Sequence, residues 1–331
     1  MEPTTPATIV TLTMNPALDI STNAGEVRPT DKIRCGAARY DAGGGGVNVA
    51  KIAHVLGASV TAVYPAGGPT GDVLTDLLVQ DGVPTHPIKI TAATRESFTV
   101  NEISTGVQYR FVLPGPNLSF VEQQQCLGEL RHAAASARFV VASGSLPPSA
   151  PVNLYQQVAL ICRDLGVPLI LDTSGGGLKH ITSGVHLLKA SVRELRECVG
   201  RELVTESEQL AAAHEIIECG RAKAVVVSLG SEGALLATAE GSLRFPAIPM
   251  RALSGVGAGD AMVAAITVGL SRDWSLSKAV RYGIAAGAAM LMTPGTQPCT
   301  RADAERLFEI AERPVEVGVL CSGTIEEALA K

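Results

Sequence analysis

The stretch Ser254-Gly255-Val256-Gly257-Ala258-Gly259-Asp260 runs straight into an apolar segment, Ala261 to Leu270, and so sets three glycines and one carboxylate at the mouth of a helix. The first turn of a helix has backbone N–H groups without intrahelical partners, and the macrodipole adds partial positive charge there, so an anion is stabilised at that point. Glycines let the backbone come close to a bulky anion. A carboxylate would repel a phosphate that was merely bound, but it makes chemical sense as a base taking the proton of a hydroxyl that attacks the phosphate. The competing reading is close helix packing by Gly-Ala-Gly, with Asp260 an N-terminal cap or dipole partner. Spacing alone leaves both open.

A second cluster, Gly43 to Gly46, precedes Val47 to Leu56, where residues 49, 52, 53 and 56 form an apolar stripe and Gly57 is placed to end the helix. Asn48, on the first turn, offers a donor and an acceptor, which suits a sugar hydroxyl. Neither cluster fits G-x-x-x-x-G-K-[ST], and the glycines at 255 to 259 lack the context of a dinucleotide fingerprint, so both of those readings are disfavoured.

A chain of 331 residues with 46% hydrophobic content can bury a large core, and 34 glycines, 19 prolines and 4% aromatic residues suit an enzyme with many tight βα turns. Net charge is −5 with Lys and Arg scattered, which leaves no basic face for nucleic acid. The cysteines at 35, 126, 162, 198, 219, 299 and 321 include no CxxC pair and read as reduced, mostly buried thiols. The six histidines form no metal-binding pair. With no secretory leader in Met1 to Ala7 and no membrane-length apolar run, a soluble cytoplasmic protein is expected.

Short apolar runs at Thr8 to Thr13, Val60 to Tyr64, Phe139 to Ala142, Leu169 to Leu171, His186 to Leu188 and Ala224 to Ser228 read as buried parallel strands. Between them, Val47 to Leu56, Phe120 to Ala135, Val152 to Leu165, Ser207 to Cys219 and Leu276 to Met292 have helical length and period. Right-handed βαβ crossovers then give a three-layer α/β/α domain. Ser97 to Ile103 and Gln108 to Leu113 alternate around Ser104-Thr105-Gly106 as an antiparallel hairpin, and residues 21–40 carry extended pieces, so together they predict a small β flap. Such a flap closes over a ligand, packs on another subunit, or does both. Pro314 to Lys331 reads as a final helix.

The combination of Gly43 to Leu56, Ala66-Gly67-Gly68-Pro69-Thr70-Gly71 and Gly257-Ala258-Gly259-Asp260 resembles the PfkB (ribokinase-like) family of carbohydrate kinases, over about residues 8 to 312. Within that family the chain is most similar to the ATP-dependent 6-phosphofructokinase branch, through Thr11-Leu12-Thr13-Met14-Asn15-Pro16-Ala17-Leu18-Asp19, Gln108-Tyr109-Arg110-Phe111-Val112-Leu113-Pro114-Gly115, Ser143-Gly144-Ser145-Leu146-Pro147-Pro148 and Val227-Ser228-Leu229-Gly230. The resemblance implies a ribokinase-like α/β/α sandwich with a mostly parallel sheet, residues 1–331 as one kinase domain, a lid from about 21–40 and 95–113, and homodimers formed through that lid.

By the same resemblance Asp260 is the base, and Gly257, Ala258 and Gly259 are the anion hole. Asp19, Gly44, Gly45, Asn48 and Ser145 hold the sugar, with Lys32 and Arg95 near its existing phosphate; Arg34 and Arg110 read as a solvated flap face. Lys189, Ser191, Glu194, Ser228, Gly230 and Gly233 match the ATP side, with Glu194 organising Mg²⁺ through water. Ser191 stands where the family has Asn, and Gly255 where it commonly has Thr, departures that bear on metal affinity and turnover. The family's monovalent-cation loop maps near Ser254, Val256, Thr293, Gly295 and Gln297, where backbone carbonyls could hold K⁺.

The expected reaction is MgATP-dependent phosphorylation of the C1 hydroxyl of fructose 6-phosphate. Kinases acting on tagatose 6-phosphate or fructose 1-phosphate are the near alternatives, differing in hydroxyl geometry. A ribokinase or nucleoside kinase would leave Lys32 and Arg95 nothing to neutralise, and a sugar-phosphate sensor would have no use for the base Asp260.

Overall fold

The computed structural model describes residues 8–250, 255–293 and 297–318. Its larger sheet has ten strands. Thr85–Lys89, Val60–Ala66, Ile9–Leu12, Phe139–Ser143, Leu169–Asp172, Val185–Ser191 and Ala222–Ser228 lie side by side in that order, all parallel. Gly233–Thr238, Gly241–Pro246 and Val315–Val317 extend it antiparallel. The six runs expected as strands all fall in the parallel part.

Alternation along each strand divides the core into two layers. Ile9, Val141, Ile170, Leu187 and Val226 face one layer, and Val10, Val140, Leu171, Leu188 and Val225 the other. Fully burying each such side chain contributes roughly 1.5–3 kcal/mol, which is why the two-sided apolar pattern holds these strands in the interior. On the first face pack Gly45–Val55, Ala258–Ser271, Leu276–Met290 and Arg301–Ile310; on the second, Phe120–Ala134, Leu154–Leu165 and Glu206–Glu218. Capping boxes start two of the latter, Ser119 with Glu122 and Thr205 with Glu208. Alanines 261, 264, 265, 285, 286 and 289, all fully buried, let Ala258–Ser271 and Leu276–Met290 approach closely.

A separate four-stranded sheet has the order Arg39–Gly43, Ala17–Ala24, Arg95–Glu102, Gln108–Val112. Its hairpin is the one expected. The first two strands run beyond the expected 21–40, starting at Ala17 and ending at Gly43, because Leu18 and Ala42 are buried where the small sheet roots in the main body. Residues 25–38 make one bridge, Ala24 to Cys35, instead of further strand.

The tail corrects another expectation. Val315–Val317, two valines flanking Glu316, forms an edge strand on Gly241–Pro246 where a helix was expected, and residues 319–331 lie outside the described residues. Helices Gly68–Gln80, Val192–Val199 and Arg301–Ile310 and the strand Thr85–Lys89 were not anticipated. The six described cysteines are free; Cys126, Cys162 and Cys299 are buried, and burial pushes their thiols up to about 12, 12 and 11. Cys35 and Cys219 are exposed, against the expectation of mostly buried thiols. Among the described residues no helix is long and apolar enough to cross a membrane.

Candidate active site

Ile9–Leu12 lies between Val60–Ala66 and Phe139–Ser143, so the chain winds away from it in both directions. At such a switch point the carboxyl ends of parallel strands open a crevice. Ser143, Gly144, Ser145, Asp172 and Lys189, all at or just past strand ends, meet Gly45, Glu194, Gly257, Gly259 and Asp260 around a cleft of about 230 Å³.

The turn before Ala258–Ser271 bears on the cap reading of Asp260. Gly257 is the N-cap, with φ of 79° in the left-handed region that glycine tolerates, and no side chain caps the helix. Asp260 therefore does not act as the cap. Its Oδ2 accepts a hydrogen bond from Asn48 Nδ2 at 2.9 Å. Burial, reinforced by the nearby Asp172, pushes its carboxyl up to about 7, against the opposing pull of Asn48 and Lys189. A group so tuned can accept a proton near neutral pH.

Lys189 stands beside the same turn: a Cβ on Gly259 would lie 2.9 Å from its Nζ. Its ammonium donates to both Asp172 oxygens, at 3.3 and 3.2 Å, with both residues buried. Burial works against that charge, but Asp172, Glu194 and Asp260 together hold the lysine pKa above its ordinary value. Burial likewise raises Asp172, with Lys189 opposing. The cleft thus pairs a cation and an uncapped helix N-terminus with a proton acceptor.

On the other side, the glycine run lets its loop sit on the strand ends. A Cβ on Gly43 would overlap the Asp19 carboxylate, and Gly44 begins Gly45–Val55 with φ of 109°. Burial pushes the Asp19 carboxyl up to about 6, with Arg95 and Arg110 opposing. Arg95 donates to Leu113 O and Asn15 O, both at 3.1 Å, while its Nε and the Asn48 Oδ1 are buried without a partner.

Asp19 also lines a cavity of about 290 Å³ under the small sheet, with Arg39, Asp41, Thr99 and Arg110. Arg110 is exposed, as expected of a solvated face, and also lines this cavity. Arg34 is exposed. Lys32 is exposed on the 25–38 segment and lines neither cavity, so the structure does not bring it to Arg95, Asp19 and Asn48.

Beyond Gly259 the cleft continues into a cavity of about 910 Å³, lined by Ser228, Gly230, Gly233, Gly255 and Ala258, with Met262, Ile284 and Leu291 as apolar walls. Its size falls in the usual range of small-molecule sites. Ser191, where the family has Asn, is the N-cap of Val192–Val199. Glu194 Oε2 accepts from both the backbone N and the Oγ of Ser191, each at 2.8 Å, and Oε1 lies 3.8 Å from Arg193 Nη2. Among the described residues no group of three or more His, Cys, Asp or Glu side chains is arranged to hold a metal. Of the suggested cation loop, Ser254 and Gly295 lie outside the described residues. Thr293 Oγ1 donates to the carbonyl of Gln297 at 2.8 Å, Arg39 Nη1 donates to Gln297 Oε1 at 3.0 Å, and Val256 lines the small-sheet cavity.

Several site residues escaped the sequence reading. Asp172 had a usable signal, an acid closing a buried apolar strand and so at the crevice edge. Arg39 and Asp41, joined at 2.7 Å, had none, since their segment carries no clear strand pattern.

The description "pfkB family carbohydrate kinase" matches residues 9–303. The chain is 70% identical over 310 residues to the ATP-dependent 6-phosphofructokinase isozyme 2 of Mycobacterium tuberculosis, covering 94% of this chain and 91% of the relative. It is 38% identical over 307 residues to the isozyme 2 of Escherichia coli, covering 92% and 99%. Among solved structures, the phosphofructokinase-2 of Escherichia coli in complex with fructose-6-phosphate superposes with a TM-score of 0.86 at 36% identity, over 92% of this chain and 99% of that one. Ribokinase of Arabidopsis thaliana complexed with ribose and ATP, at 21% identity and a TM-score of 0.74 over 92% and 99%, shares the fold alone. With its ribokinase-like α/β architecture and a match along most of its length, the chain belongs to the pfkB family of carbohydrate kinases.

Proposed function

We propose that this chain is an ATP-dependent 6-phosphofructokinase, moving the γ-phosphoryl group of ATP to the C1 hydroxyl of fructose 6-phosphate to give fructose 1,6-bisphosphate. The observation that carries this is the position of Asp260: a tuned carboxylate at an uncapped helix N-terminus, beside Lys189, in a cleft that shares Gly259 with a nucleotide-sized cavity. Relatives at 70% and 38% identity bear the same activity in their names.

In this reading Asp260 accepts the proton of the C1 hydroxyl as that oxygen bonds to the γ-phosphorus. The bond from the γ-phosphorus to the bridging oxygen breaks, and ADP leaves. Backbone N–H groups at Gly257, Ala258 and Gly259, with Lys189, take up charge on the phosphoryl oxygens as it develops. Asn48 orients Asp260 and offers its unpartnered Oδ1 to the sugar, alongside Asp19, Gly44, Gly45 and Ser145. Arg95, with its unpartnered Nε, and Arg110 supply charge for the 6-phosphate. Lys32 joins them only on closure of the 25–38 segment.

The donor lies against Ser228, Gly230 and Gly233, with Ser191 fixing Glu194. Glu194 and Asp172, both lining the cleft, are the carboxylates that would hold Mg²⁺ through water, and the ion would supply neutralisation of phosphate charge. A K⁺ site at Ser254, Val256, Thr293, Gly295 and Gln297 is consistent with the potassium complex of the Escherichia coli phosphofructokinase-2. We read the chain as one cytoplasmic kinase domain whose small sheet is a lid, pairing as a homodimer through the lid's outer face, where Tyr40, Phe98 and Phe111 are 49%, 37% and 56% exposed.

Initial rates with MgATP and a panel of fructose 6-phosphate, tagatose 6-phosphate, fructose 1-phosphate and ribose test the assignment. The highest kcat/KM is expected for fructose 6-phosphate. A preference for fructose 1-phosphate would shift the assignment to 1-phosphofructokinase, the activity named for a relative at 31% identity from Haloferax volcanii.

A further inference from the structure

Asn15 lies just past Leu12, in the turn between the main sheet and the lid, and is 7% exposed. Its Nδ2 donates to Ser145 Oγ at 3.1 Å, across 130 residues of chain. Its Oδ1 packs against the Cα side of Gly115 and is buried without a partner, so the contact with Ser145 is the one hydrogen bond its side-chain amide makes among the described residues. Ser145 sits on an equally fixed turn. Tyr155 OH and Thr173 Oγ1 both donate to the Gly144 carbonyl, at 2.8 and 2.9 Å, and the Gly144 N–H donates to Asp172 O at 2.9 Å.

A serine hydroxyl has one proton to give and two lone pairs to receive. With one lone pair filled from Asn15, the Ser145 proton is directed elsewhere, and Ser145 borders the cleft that holds Asp260. We propose that Asn15 is a positioning residue that fixes Ser145 as a hydrogen-bond donor, so that Ser145 reads an acceptor oxygen of the phosphosugar. This rests on the reading of Ser145 as a sugar contact. Asn15 also receives Arg95 Nη2 on its backbone carbonyl, at 3.1 Å. One residue at the switch point thus ties the donor to the arginine proposed for the phosphate.

The test is a double-mutant cycle between Asn15→Asp and Ser145→Ala in the full-length enzyme. Asp at 15 keeps the shape but accepts the Ser145 proton, which reverses the hydroxyl. Asn15→Asp is expected to raise KM for fructose 6-phosphate about tenfold, the scale of one lost hydrogen bond, with kcat and KM for ATP within about twofold. In the Ser145→Ala background the same change should alter KM by less than about twofold. Asn15→Ala, which removes the donor without adding charge, gives a second measurement and should raise KM about threefold, again only when Ser145 is present. Equal effects in both backgrounds, or an unchanged KM in Asn15→Asp, would overturn the proposal. If Ser145→Ala alone leaves KM unchanged, the sugar-contact reading of Ser145 fails independently of Asn15. Absence of fructose 6-phosphate turnover by the unmodified enzyme would instead sink the proposed function.

Discussion

At the scale of single residues the account turns on how the cleft tunes one carboxyl. Asp260 held at about 7 must be ionised to accept a proton, so kcat/KM for fructose 6-phosphate should fall as pH drops through about 7. Asn48→Leu removes the hydrogen bond that opposes the shift, and this acid limb should move to higher pH. The same shift bears on stability. Because the folded state holds a proton that the unfolded carboxyl releases near 3.8, Asp260 makes the fold less stable as pH rises from about 4 to about 7. Asp260→Asn, which needs no ionisation, should therefore melt a few degrees higher than the parent at pH 8, with the difference shrinking toward pH 4. A melting point lowered at pH 8 would mean that Asp260 holds the fold together. Of these residues, Asp260 and Asn48 stand out in the sequence because glycine runs and helix starts announce them, whereas Lys189 came only from the family resemblance. Lys32 was not, since a basic residue on an irregular segment says nothing about where its side chain ends up.

Elements carry a different set of consequences. The Ser191 cap holds both Val192–Val199 and the Glu194 carboxylate, so Ser191→Ala should cost about 1 kcal/mol of stability and also raise KM for ATP at limiting Mg²⁺. Ser191→Asn, still a good cap, should preserve stability, and thermal melts alongside magnesium titrations separate the two effects. The hairpin tip at Ser104 to Gly106 is expected to limit wasteful hydrolysis when the lid closes. Deleting it should raise the ratio of ATP hydrolysed to sugar phosphorylated; an unchanged ratio would leave the lid as a subunit contact only. The parallel strands could be read from sequence because burial on both faces writes itself as unbroken aliphatic runs. Strands of the small sheet, polar on the cavity side and buried mainly at the ends that root them, as at Ala17, Leu18 and Ala42, gave no such pattern, and their ends were misjudged. Val315–Val317, too short to show a period, was misread for the same reason.

For the molecule as a whole, the cleft that holds Asp260 shares Gly259 with the larger apolar-walled cavity, proposed for the donor, while the cavity at the small sheet holds Asp19 and Arg110, proposed for the phosphosugar. On the proposed pairing through the outer face of the small sheet, Phe111→Glu with Phe98→Glu should give single 34.2 kDa subunits by light scattering, where the parent gives pairs. Central to everything is that Asp260 transfers the proton in phosphorylation of fructose 6-phosphate. The direct measurement is the steady-state rate of fructose 1,6-bisphosphate formation by Asp260→Asn, set beside its ATP affinity and melting temperature. A fall of about 10² to 10⁴ in kcat with ATP binding and folding retained is predicted. A kcat within a few-fold of the parent enzyme would contradict the account.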